Sequence, residues 1–272
     1  MSPNTVTAYV SDAENFVTFC GGDASGADST VVGDYLASRA ESVSKRSQAR
    51  ILSSLRSFFD WMILEGTRRD NPCDALETPK LGKYLPEVLS VEEVLAIMES
   101  VDTSDWKGVR DRAILEMLYG CGLRVSELCN LCISQVYEKE SFVRVIGKGD
   151  KERLVPVAGP VLECFAAYME VRPCPAGPEY DDTVFLNRFG KPLSRVSVFN
   201  MIKEQALLAG VRKKISPHTF RHSFATHLIE NGADLRVVQE MLGHESILTT
   251  EIYTHINTAT WQAAVLEHHP RR

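Results

Sequence analysis

The chain has 272 residues, 30 Lys and Arg against 36 Asp and Glu, and a formal net charge of −6 with histidine neutral. Hydrophobic residues at 44% and charged residues at 24% are ordinary globular composition, which excludes disordered, collagenous and fibrous chains and gives enough apolar material for a core without staples. The net acidity argues, at first sight, against a nucleic acid as partner.

Met1-Ser2-Pro3-Asn4 opens no basic stretch followed by an apolar one, so no export leader is expected. No run approaches the roughly 18 apolar residues of a membrane span. Val6, Tyr9, Val10, Ala13, Phe16 and Val17 recur at three- and four-residue steps and predict a first helix. Val31 to Ala40 is a second. Ser44 starts a third, running to about Glu65, with Gly66 as its stop. On that helix Ile51, Leu52, Leu55, Phe58, Phe59 and Met62 fall within about 120° of one another, while Lys45, Arg46, Arg50 and Arg56 occupy the opposite side. No acid stands between Ser44 and Ser57. Clustered cations without interleaved acids suit a polyanion, although a solvated face has the same pattern.

Two prolines and a glycine within Thr78–Pro86 cannot continue a helix, so residues 79–86 read as a linker between an N-terminal domain (1–78) and a C-terminal domain (87–272). Ser90-Val91-Glu92-Glu93 is a capping box. Helices follow over Arg110–Leu118 and Val125–Leu131. The period then changes to two over Phe142–Ile146 and Arg153–Val157, flanking Gly147-Lys148-Gly149-Asp150-Lys151, which predicts a hairpin. Helical pattern resumes, with one helix starting at Ser216-Pro217, one from Asp234 to Leu242, and a last over about Thr258–His268 carrying Trp261, Val265 and Leu266 as an apolar stripe. The expected fold is mainly α (α+β): an N-terminal helical domain, then a mostly helical domain with a small antiparallel sheet.

The seven cysteines are an odd number and read as reduced thiols in a cytoplasmic protein. Cys129 and Cys132 form a CxxC without a second pair, inside an apolar helical stretch where cysteine acts as a small hydrophobe. His218 and His222 have i, i+4 metal spacing, but position 219 is Thr, so HExxH is absent and no metal is expected. His218 and Arg221 share the polar side of their helix, a pair suited to an anionic group such as phosphate. Lys148 sits between two glycines at the hairpin tip, solvated or delivered into a site. Arg124, His244 and Tyr253, each taken alone, fit surface or packing roles.

Their order is more specific than any one of them. Gly122-Leu123-Arg124-Val125-Ser126-Glu127-Leu128, Gly147-Lys148-Gly149, Ser216-Pro217-His218-Thr219-Phe220-Arg221-His222, Leu242-Gly243-His244 and Ile252-Tyr253-Thr254-His255 together resemble the tyrosine recombinases of the phage-integrase type, most nearly their Xer (XerC/XerD) subfamily. The resemblance runs from about Thr5 to the terminal His268-His269-Pro270-Arg271, although relatives usually carry one more helix before the segment at Asn4–Phe19.

The resemblance implies a site-specific recombinase that cuts and rejoins DNA through a 3′-phosphotyrosyl intermediate, resolving chromosome dimers or moving a mobile element. It implies catalytic roles for Arg124, Lys148, His218, Arg221, His244 and the nucleophile Tyr253, with Glu127 supporting them from behind. Lys45, Arg46, Arg50, Arg56, Arg144, Lys151, Arg153 and His222 become candidate DNA contacts. It also implies a two-domain clamp on duplex DNA and a homo- or hetero-tetramer on two sites, joined by a second Xer-type recombinase and a DNA translocase. No cofactor and no membrane are implied. The last helix is expected to dock on a neighbouring protomer or, alternatively, on its own domain. A type IB topoisomerase and a catalytically silent DNA-binding relative are the alternatives. Residues 1–85 hold nine cations against eleven acids and residues 86–272 twenty-one against twenty-five, so any DNA-binding charge is a matter of distribution.

Overall fold

The computed structural model describes residues 3–79, 87–147, 152–243 and 258–271. The chain divides into two compact units, Met1–Leu85 and Pro86–Arg272.

The first unit contains α1 (Pro3–Phe19), α2 (Ser29–Ala40) and α3 (Lys45–Leu64). Asp28 accepts from the backbone N–H groups of Thr30 and Val31, and Ser44 from that of Ser47, which fixes where α2 and α3 begin. Phe16, Tyr35, Leu52, Leu55 and Phe59 form the core, with the Phe16 ring edge-on to Tyr35 and Phe59. The cationic side of α3 is less bare than its sequence suggests. Asp12 on α1 is buried against it, pairs with Arg50, and accepts from Ser54 Oγ at 2.7 Å.

In the second unit, α4 (Val91–Glu99) opens with the Ser90/Glu93 capping box. Next, α5 (Trp106–Gly120) runs through the core, where Ala113 to Gly120 are all buried. It packs on α7 (Gly159–Val171) and α9 (Pro217–Glu230). Between them in sequence lie the short α6 (Val125–Cys129) and an antiparallel sheet, β1 (Val136–Tyr137), β2 (Phe142–Ile146) and β3 (Glu152–Pro156), in that spatial order. Pairing of Ile146 with Glu152 and Val145 with Arg153 fixes the register at the hairpin end. The sequence pattern predicts only β2 and β3. At two residues β1 is too short to alternate, and Tyr137 stacks on Phe142 at 4.6 Å between ring centroids. The remaining helices are α8 (Arg195–Leu208), α10 (Leu235–Leu242) and α11 (Thr258–His268). The architecture is mainly α with a small antiparallel sheet, as expected.

Helix α11 lies on its own unit, against α9 and β3, with Trp261 and Val265 buried in the core and Leu266 exposed. The same apolar stripe that could cover a neighbour is satisfied at home. Polar contacts fasten the residues just beyond the helix. Arg271 pairs with the fully buried Glu116, which Arg112 also holds at 3.3 Å. His269 is buried beside Tyr119 and Phe224.

Candidate active site: arginines around a buried carboxylate

Arg124 stands at the N-terminal cap of α6, and Glu127 one turn on reaches back to accept its backbone N–H at 2.7 Å. The carboxylate also takes the Arg124 guanidinium at 2.8 Å. From β3, Arg153 closes a two-pronged contact on both Glu127 oxygens, each at 2.8 Å. From α9, Arg221 approaches to 4.0 Å. Three elements distant in sequence thus place three guanidinium groups around one carboxylate, a net local charge of about +2.

Burial alone would raise the Glu127 carboxyl, but the hydrogen bonds and charges of Arg153 and Arg124 outweigh it and hold it at about 2. It is ionised throughout the physiological range. Burial and the charges of Arg124 and Arg153 push Arg221 down to about 9, which leaves it protonated at neutral pH.

Backbone carbonyls orient these groups. Arg221 donates to Gly122 O at 2.6 Å and to Leu242 O. Arg124 donates to Gly243 O at 3.2 Å and Arg153 to Met241 O at 2.8 Å. Gly122 and Gly243 both have positive φ, 57° and 64°. A Cβ on Gly122 would stand 2.5 Å from the Phe224 ring, so the chain can pass there only as glycine. Arg124 keeps a third of its side chain exposed, while Arg221 and Glu127 are nearly covered. A cationic cluster with one accessible member, held by a carboxylate and carbonyls, can receive an anion and stabilise added negative charge on it.

His218 is exposed on the first turn of α9, and His222 one turn later is exposed as well. Lys148, Lys151, His244 and Tyr253 lie outside the described residues. Among the candidate DNA contacts, Lys45 and Arg46 are exposed at the start of α3. Arg56 is held by Leu76 O at 2.8 Å and Thr78 Oγ1 at 3.2 Å, and Arg144 lies 3.6 Å from Glu152.

Arg153, one of the candidate DNA contacts, is only 5% exposed, and its guanidinium is engaged by Glu127 and Met241. The signal was in the strand. Arg153 is in phase with Val155, and the period of two puts both on the buried side, where a cation demands an acid. Among the described residues no group of three or more His, Cys, Asp or Glu side chains is placed to hold a metal ion. Cys129 is buried, which pushes its thiol up to about 11.

Residues 87–260 match the phage integrase family and residues 1–66 the N-terminal SAM-like domain of phage integrases. The chain is 48% identical over 229 residues to tyrosine recombinase XerD of Staphylococcus aureus (strain N315), covering 84% of this chain and 78% of that one. The solved XerA recombinase is 30% identical, with a TM-score of 0.54 and coverage of 100% of this chain and 94% of that one. A lambda integrase tetramer bound to a Holliday junction shares the fold, with a TM-score of 0.72 at 20% identity over 90% of this chain and 73% of that one. The matched families, and relatives alike over most of their length, establish that the chain belongs to the phage integrase family and is a tyrosine site-specific recombinase.

Proposed function

We propose that Tyr253 is the nucleophile, attacking a scissile DNA phosphorus to form a 3′-phosphotyrosyl bond and release a 5′-hydroxyl. The bond energy stays in the covalent intermediate, so a second 5′-hydroxyl reverses the step and exchanges strands without an energy source. Arg124 and Arg221 bind the non-bridging oxygens and stabilise the extra charge of the pentavalent transition state. Lys148 protonates the leaving 5′-oxygen, His218 assists proton transfer at the tyrosine, and His244 hydrogen-bonds a phosphate oxygen. The observation that carries this reading is the cluster of three guanidinium groups around Glu127, cationic overall and partly open at Arg124.

The partner is duplex DNA carrying a recombination site. Residues 1–78 bind its core, 79–86 link, and 87–272 carry the chemistry. Four protomers act on two sites, in a homo-tetramer or with a second Xer-type recombinase, under a DNA translocase in the cytoplasm. The similarity to XerD supports resolution of chromosome dimers; excision or integration of a mobile element is told apart by which site is cut.

The test is a nicked suicide duplex bearing a candidate chromosomal or mobile-element site, followed by a denaturing gel. The wild-type chain should leave an SDS-resistant protein–DNA adduct. Tyr253→Phe should bind the duplex and leave none. An adduct with Tyr253→Phe overturns the nucleophile assignment.

A further inference from the structure

Arg153 is buried in the cluster, and its contacts reach the Arg124–Glu127 turn and the end of α10. Its two terminal nitrogens fix Glu127, and Glu127 fixes both the backbone N–H and the guanidinium of Arg124. Its Nε donates to Met241 O in the last turn of α10, two residues before Gly243, whose own carbonyl accepts from Arg124. A Cβ on Gly243 would come within 3.4 Å of the Arg153 side chain, so the two pack closely. Arg153 is also the second residue of β3, paired with Val145 of β2. Arginine suits this place because a planar fork can hold both carboxylate oxygens while Nε–H makes a third bond. A lysine ammonium cannot satisfy all three directions.

We propose that Arg153 is a positioning residue for strand cleavage: it locks Glu127, and through it Arg124, and ties β3 to the end of α10. It does not touch the DNA. The proposal rests on the role given to Arg124 above.

The test measures single-turnover adduct formation by the full-length chain on two suicide duplexes of one sequence. One carries an ordinary scissile phosphodiester. The other carries a methylphosphonate, in which a neutral methyl replaces a charged oxygen and the demand for arginine falls. Arg153→Met should bind the duplex within about threefold of wild type and cleave the phosphodiester about 100-fold more slowly. Relative to wild type, its deficit on the methylphosphonate should shrink by about tenfold or more, because what it lost is arginine placement. Arg153→Lys should fall between, and it carries the same comparison where the Met variant does not fold. Combining Glu127→Gln with Arg153→Met should slow cleavage little beyond the worse single change. Wild-type cleavage by Arg153→Met, or equal deficits on both substrates, overturns the proposal. Failure of the underlying site reading is seen separately: Arg124→Ala would then cleave the phosphodiester at the wild-type rate.

Discussion

A single carboxylate organises the described half of the site. Glu127 is held at about 2 against an ordinary 4.5, so its charge stabilises the fold fully above pH 4.5 and is lost as the pH falls toward 2. The gap corresponds to about 3 kcal/mol at neutral pH. Glu127→Gln should destabilise the second unit by about 3–5 kcal/mol at pH 7, because Arg153 is left buried without its partner. Urea melts at pH 7 and pH 3 check the cause: the gap between wild type and variant should narrow at pH 3, where the unfolded chain's carboxyl is already protonated while the native one still resists. Arg124, Glu127 and Arg221 stand inside sequence boxes and were legible there. The burial of Arg153 was harder to see, because charge is conspicuous in a sequence and burial is not.

At the scale of elements, α11 and the residues after it form a fastening whose strength depends on pH. Burial, with the charges of His227 and Arg271, pushes His269 down to about 4, while an unfolded histidine takes its proton near 6.5. Between those values the undocked segment binds the proton that the docked one refuses, so docking weakens as pH drops from 6.5 and levels off below 4. His227, paired with Tyr119 Oη at 2.8 Å and also lowered by burial, acts in the same direction. The groups facing His269 are Tyr119, Phe224, His227 and Arg271, with Glu116 behind Arg271. Hydrogen exchange should show residues 261–271 less protected at pH 5 than at pH 7, with a smaller drop in His269→Asn; unchanged protection would refute it. Helix α11 itself was legible from its period. Its docking partner was not, since an apolar stripe specifies that it be covered and not by what. Likewise β2 and β3 announced themselves by alternation, while two-residue β1 depends on a neighbour the sequence does not reveal.

For the whole molecule, a net charge of −6 coexists with a recombinase, with cations gathered over the acid-free run Ser44–Ser57 and around Glu127. Some of those cations are already committed: Arg50 to Asp12, Arg56 to backbone, Arg153 to Glu127. The non-specific hold on DNA should therefore be weak, and binding to the recombination site should depend on a few phosphate contacts. With four such contacts, affinity should fall by on the order of 100-fold between 50 and 200 mM salt. Titration of a labelled site duplex at several salt concentrations measures the slope, and a flat response would count against phosphate contacts. The grip on the arginines has a consequence on another timescale. Arg124, Arg153 and Arg221 are aimed largely by the carbonyls of Gly243, Met241, Gly122 and Leu242. A carbonyl is present whatever side chain its residue carries. With glycine kept at 122 and 243, the side chains at 241 and 242 can therefore change while the path of the main chain, and with it the aim of the arginines, is inherited unchanged. Over evolutionary time such a site constrains a handful of positions and leaves the rest of its scaffold free to diverge.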